Sequence, residues 1–136
     1  MNSKFVLSQR EVALILAAGR TEAQRNQWSV SIAVVDDGGH LLALERLDGC
    51  APIGAYICME KARTSALGRR ESTVYEEMVN NGRNAFLSAP LLTSLEGGVP
   101  IIVDGQVIGA VGVSGVKSAQ DAQIAKAAVL ALQGYS

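Results

Sequence analysis

The chain has 136 residues, 49% of them hydrophobic and 18% charged, with a formal net charge of −1. That is the apolar supply of one globular domain, able to bury roughly 68% of its unfolded surface. Basic residues are scattered from Lys4 to Lys126, which excludes the concentrated positive surface of a nucleic-acid or anionic-membrane binder.

No window approaches the ~18 consecutive apolar residues of a membrane span, and the opening MNSKFVLSQREVALIL meets charge too early for a signal-peptide core. The reading is a cytoplasmic protein of one domain spanning 1–136. Ser8 and Glu11 have capping-box spacing, and Val12, Ile15, Leu16, Gly19 and Ala23 recur at helical intervals, predicting a first helix over 9–26. The period then shortens: Val30, Ile32 and Val34 alternate with small or polar residues, DDGG supplies a turn, and Leu42 and Leu44 resume the pattern of a β-hairpin.

Residues 53–68 read as a second helix with Gly68 as its stop, and Thr73 with Glu76 opens a shorter helix ending at the NNG of 80–82. RNAFLSAPLLTSLEGG keeps no period and reads as a connection that covers a pocket. Residues 101–103 and 107–113 flank the turn signal Asp104-Gly105, and Ser118 with Asp121 caps an Ala-rich last helix reaching about Leu132. The order α-β-β-α-α-β-β-α points to an α+β domain, an antiparallel β-sheet covered by helices, rather than to a parallel sheet.

Cys50 and Cys58 lack CxxC spacing and straddle a helix start, so reduced thiols are expected. One histidine and two cysteines fall short of the about four ligands of a tetrahedral zinc cage, and no metal site is predicted. Lys61, Arg63, Arg69 and Arg70 form the one local cationic excess, either a solvated helix end or an anion site.

Four motifs follow one another across residues 29–128: SIAVVDDGGHLLALERLDG, MEKARTSA, GGVPIIVDGQVIGAVGVSG and DAQIAKAA. In that order they resemble the GlcG/HbpS-like proteins, a family that includes the C-terminal domain of PduO-type proteins. The resemblance implies a profilin-like α+β fold and assembly into dimers or higher oligomers. It implies haem binding for some members, while many, encoded beside glycolate, glycerol or diol metabolism genes, have no assigned activity. It also implies that PduO-like haem binders use a histidine on the first helix, whereas residues 8–27 here contain none.

Fold and membership do not supply a reaction, so the side chains must. His40, the single histidine, is the first candidate for a haem ligand, the other reading being a hydrogen-bonded turn residue. Tyr56, Cys58, Met59 and Met78 could ligate iron, but on apolar helix faces they read as core. Asp36, Arg46, Asp48 and Lys61 form the best polar cluster. There Arg46 would clamp a carboxylate, with Lys61 or Asp48 as acid–base group; the other reading is an Arg–Asp pair locking the turn with Lys61 solvated.

Gly109, Gly112 and Gly115 would let a ligand, a helix or a neighbouring subunit approach the strand, making Gly112, Ser114 and Gly115 candidate ligand contacts. Ser114 lacks the GxSxG context and a second histidine for hydrolase chemistry, and no GK[ST] follows for a phosphate loop. The resulting reading is a homo-oligomeric small-molecule-binding accessory protein of a metabolic pathway such as glycolate or glycerol/diol utilisation. Its ligand would be haem or another tetrapyrrole, or a small carboxylated or hydroxylated metabolite. The alternative is an enzyme acting on such a metabolite through Lys61, Asp48 and Arg46.

Overall fold

Local signals start most of the elements in the computed structural model, which describes residues 1–133. Ser8 donates through both its backbone N–H (2.9 Å) and its Oγ (2.7 Å) to Glu11 Oε1, closing the capping box that opens helix α1 (Gln9–Arg25). Strands β1 (Ser31–Asp36) and β2 (Leu41–Arg46) form the first hairpin, and helices α2 (Pro52–Gly68) and α3 (Thr73–Asn80) follow. Proline at the first turn of α2 removes an N–H that would have had no partner. Strands β3 (Gly98–Val103) and β4 (Gln106–Ser114) meet at Asp104-Gly105, where φ is +52° and +76°, both left-handed as a two-residue hairpin turn requires. Helix α4 (Ser118–Val129) closes the fold.

The four strands make one antiparallel sheet in the order β2-β1-β4-β3, so the two hairpins join through β1 and β4. This is the predicted α+β class and element order. The sequence pattern of β1 suggested one buried face, yet Ser31 to Val35 are all buried. Helices cover both sides: Ile32 and Val34 join Val111, Val113 and the α1 and α4 residues Ile15, Ile124 and Ala128, whereas Ala33 and Val35 join Ala110 and the α2 residues Cys58, Ala62 and Ala66. The α2 side is built from small residues, which brings helix and sheet backbones close together.

Two helix boundaries differ from the expectation for reasons of packing. Gly68 belongs to α2, and Arg69 takes the left-handed position at φ +57°. A Cβ on Gly68 would overlap Tyr75 Oη, so the glycine makes room for α3 and does not end the helix. At α4 the cap position is Lys117, whose N–H donates to Gln120 Oε1 at 3.3 Å, and Ser118 is the first helical residue.

The connection after α3 holds a short 3-10 turn, Asn84–Ser88, and is tied down by Ser72, whose Oγ donates to the Leu95 carbonyl at 2.6 Å and accepts from Gly98 N–H at 2.8 Å. It covers a hollow of about 210 Å³ bordered by Thr64, Tyr75 and Leu92. No helix among the described residues is long and apolar enough to cross a membrane.

Candidate functional site

The end of β2, the loop that leaves it and the C-terminal end of α1 enclose a cleft of about 600 Å³. Arg46 projects from the last position of β2, and its Nε donates to the Cys50 carbonyl at 3.1 Å, which pins the LDGC loop back toward the strand. Gly49, at φ +86°, supplies the bend. Arg20 of α1 reaches across to Glu45, with Nε to Oε1 at 2.5 Å and Nη2 to Oε2 at 2.9 Å. Hydrogen bonding by Arg20, with its charge, holds the Glu45 carboxyl below its ordinary range against the opposing effect of burial.

That pair is satisfied within itself. The terminal guanidinium nitrogens of Arg46 and the carboxylate of Asp48 are not: among the described residues neither has a protein partner. Trp28 and Ser29 line the same cleft. A planar cationic fork and an anionic acceptor on one rim suit a ligand that carries a carboxylate or carbonyl beside a hydroxyl.

Lys61 does not join them, which corrects both the expectation that it lines a cluster with Arg46 and Asp48 and the expectation that it is solvated. Its ammonium is buried, donating to the Val113 carbonyl at 2.9 Å and to Asp121 Oδ2 at 3.0 Å, with side-chain exposures of 4% and 3% for the two residues. Gly97 makes this position accessible, because a Cβ there would lie 2.9 Å from both Cδ and Nζ of Lys61. Burial pushes the Asp121 carboxyl above its ordinary range despite the nearby ammonium. An acid–base role for Lys61 on a cleft ligand therefore lacks an open path, and Asp36 is also elsewhere, at the end of β1 opposite to the Ser31–Arg46 pair.

The glycine-rich strand is used differently from the expected ligand contact. A Cβ on Gly112 would overlap the Cys58 carbonyl oxygen and lie 2.5 Å from Ala62 N, so it is the helix α2, and not a ligand, that makes the close approach here. Gly115 presses on the backbone of Ser29 and Val30, where a Cβ would sit 2.6 Å from Ser29 O, and Ser114 is buried beside it. These two residues stand behind the cleft wall instead of lining it.

His40 is a turn residue, 81% exposed, with Nδ1 3.1 Å from Asp36 Oδ1. The same oxygen accepts from Gly38 N–H and His40 N–H, each at 2.9 Å, which accounts for Asp36. Cys58 donates to the Ala55 carbonyl at 3.3 Å, and burial pushes its thiol up to about 12, far from the thiolate an iron would need. Both cysteines are free and buried. Tyr56 is exposed on α2, and Met59 packs against the α2 core. An apolar groove of about 400 Å³ runs between α1 and β2, lined by Leu7, Val12, Leu16 and Leu42, and no His, Cys, Met or Tyr borders it.

Sequence reasoning missed Arg20, Trp28 and Glu45 of the cleft. Arg20 and Glu45 are 25 residues apart and are brought together only by packing of α1 on the sheet. Trp28, the single tryptophan, directly after the first helix, was the available signal.

A family model described as haem degrading protein HbpS-like matches residues 7–130. The chain is 73% identical over 114 residues to protein GlcG of Escherichia coli K12, a match covering 84% of this chain and 85% of the relative. Among solved structures, Klebsiella pneumoniae protein ORFY superposes with a TM-score of 0.89 at 28% identity, covering 100% of this chain and 99% of the other. A double mutant of Streptomyces reticuli HbpS superposes with a TM-score of 0.89 at 25% identity, covering 97% of this chain and 90% of the other.

Proposed function

The chain belongs to the HbpS-like family, and on that premise we propose that it is a cytoplasmic, homo-oligomeric accessory protein of a metabolic pathway that binds a small carboxylated or hydroxylated metabolite between Arg46 and Asp48. One observation carries this reading: a guanidinium fork and a carboxylate, both without protein partners among the described residues, share one cleft with Trp28. The Arg20–Glu45 pair beside them keeps the cleft from being strongly of one sign.

Haem, which the family description names, has less support from the side chains of the described residues than a small metabolite has. The apolar groove carries no axial donor, and the one imidazole lies at an exposed hairpin turn. Catalysis by Lys61 is disfavoured by its burial, which leaves Asp48 and Arg46 as binding groups.

Trp28 makes the reading testable without a chromogenic substrate. Titrating short hydroxy acids and diols should give saturable quenching or enhancement of its emission. Arg46→Ala should weaken the acids by about tenfold or more, since a hydrogen bond to a charged group contributes about 1.5–3 kcal/mol. Asp48→Asn should instead weaken the hydroxylated ligands. A flat titration for every such compound, or acid affinity unchanged in Arg46→Ala, would sink the proposal.

A further inference from the structure

We infer that Lys61 is a positioning residue: through Asp121 it ties the two helical layers together across the end of the sheet and so fixes the rear wall of the Arg46–Asp48 cleft. Its contribution to binding rests on the reading of that cleft as the ligand site, whereas the tether itself does not.

Helices α2 and α4 lie on opposite faces of the sheet, each with its own hydrophobic cluster. Lys61 leaves α2, passes the space that Gly97 leaves free at the start of β3, and reaches Asp121 in the first turn of α4. Both partners also grip the segment that joins β4 to α4. Lys61 Nζ holds the Val113 carbonyl, while Asp121 Oδ1 accepts the Val116 N–H at 3.1 Å.

Ser114 and Gly115, the residues between those two anchors, lead directly to the cleft. Gly115 presses on the backbone of Ser29, whose side of the cleft also carries Trp28. The Ser114 carbonyl accepts a long contact from Cys50 Sγ at 3.8 Å, and the Cys50 carbonyl in turn receives Arg46 Nε. Lys61 is thus linked to both sides of the cleft through packed backbone while itself buried. A buried ion pair is weak evidence for added stability, because desolvation cancels much of the attraction, but a pair spanning two layers restricts how they seat against each other.

The test replaces the tether by apolar groups, Lys61→Met with Asp121→Leu, and reads it in three ways. Urea unfolding should stay cooperative with a midpoint near that of the parent, as expected when a buried pair is exchanged for packed side chains. Hydrogen exchange at the Val113 amide, which donates to the Gly97 carbonyl at 3.0 Å and keeps that partner in the variant, should nevertheless speed up by about tenfold or more relative to the centre of β1. Trp28 emission should shift, and affinity for a short hydroxy acid should fall several-fold, by about the size of coupling that runs through packed networks.

Parent-like exchange at Val113 together with parent-like Trp28 emission overturns the tether. Exchange that accelerates while emission and affinity stay unchanged overturns its link to the cleft. If the parent protein binds no hydroxy acid, the proposed ligand class fails while exchange and emission still decide the tether. Should the double variant not fold, Asp121→Asn, nearly identical in shape, takes its place: it removes the countercharge, so the Val113 amide should still exchange faster, and unchanged protection there overturns the inference.

Discussion

Asp121 and Glu45 are carboxylates moved in opposite directions, and pH separates them. Asp121 is buried with a raised folded-state value, so the fold favours its protonated form. Its contribution to stability is full below the ordinary carboxylate range and is lost as pH rises through the folded value. Glu45 is held down by Arg20, so its contribution is present above the ordinary range and is lost as pH falls through the folded value. Between about pH 3 and pH 7, urea midpoints should therefore move with opposite slopes relative to the parent. The balance should shift toward Asp121→Asn as pH rises and away from Glu45→Gln over the same range. The Glu45 slope should be the shallower, because that pair is partly exposed to solvent. Parallel slopes would contradict the assigned environments.

At the scale of elements, the close seating of α2 on β4 sets how much change the glycine-rich strand tolerates. Gly112→Ala must push helix and strand apart, because the new methyl would overlap the Cys58 carbonyl. A cost of about 3 kcal/mol, at the upper end for overpacking, is expected from chemical denaturation. Gly105→Ala meets open space and bears only the penalty of a left-handed residue, about 1–2 kcal/mol. A reversed ranking would place the tight contact elsewhere than at Gly112. The comparison also marks where the sequence was legible. Ser8 with Glu11 and Asp104 with Gly105 announced their elements because each signal is satisfied by residues a few positions away. The roles of Gly68, Gly112 and Lys61 were hidden because each is decided by a partner on another element: Tyr75 on α3, Cys58 on α2, Asp121 sixty residues on. Arg46 and Asp48 could be singled out as unusual polar residues at a strand exit, but their company in the cleft depends on where α1 packs.

For the whole molecule, the outward side of α2 argues for assembly. Ile53 is 63% exposed and Tyr56 70%, one turn apart on a helix whose inner side already packs on the sheet. Leu67 at the other end of α2 and Leu91 in the following connection are exposed as well. Clustered exposed apolar residues mark association surfaces more often than single ones do. Sedimentation velocity at micromolar concentration should thus show a dimer or larger species. Tyr56→Glu should move the distribution toward the monomer, because a charge is then buried without a partner on association. Arg46→Ala, on the far exit of β2, should leave the distribution as it was while changing the Trp28 titration, so that assembly and ligand binding can be scored apart. A parent protein that sediments as a monomer throughout the micromolar range would remove the oligomer from the proposal, and the exposed face of α2 would then need another partner.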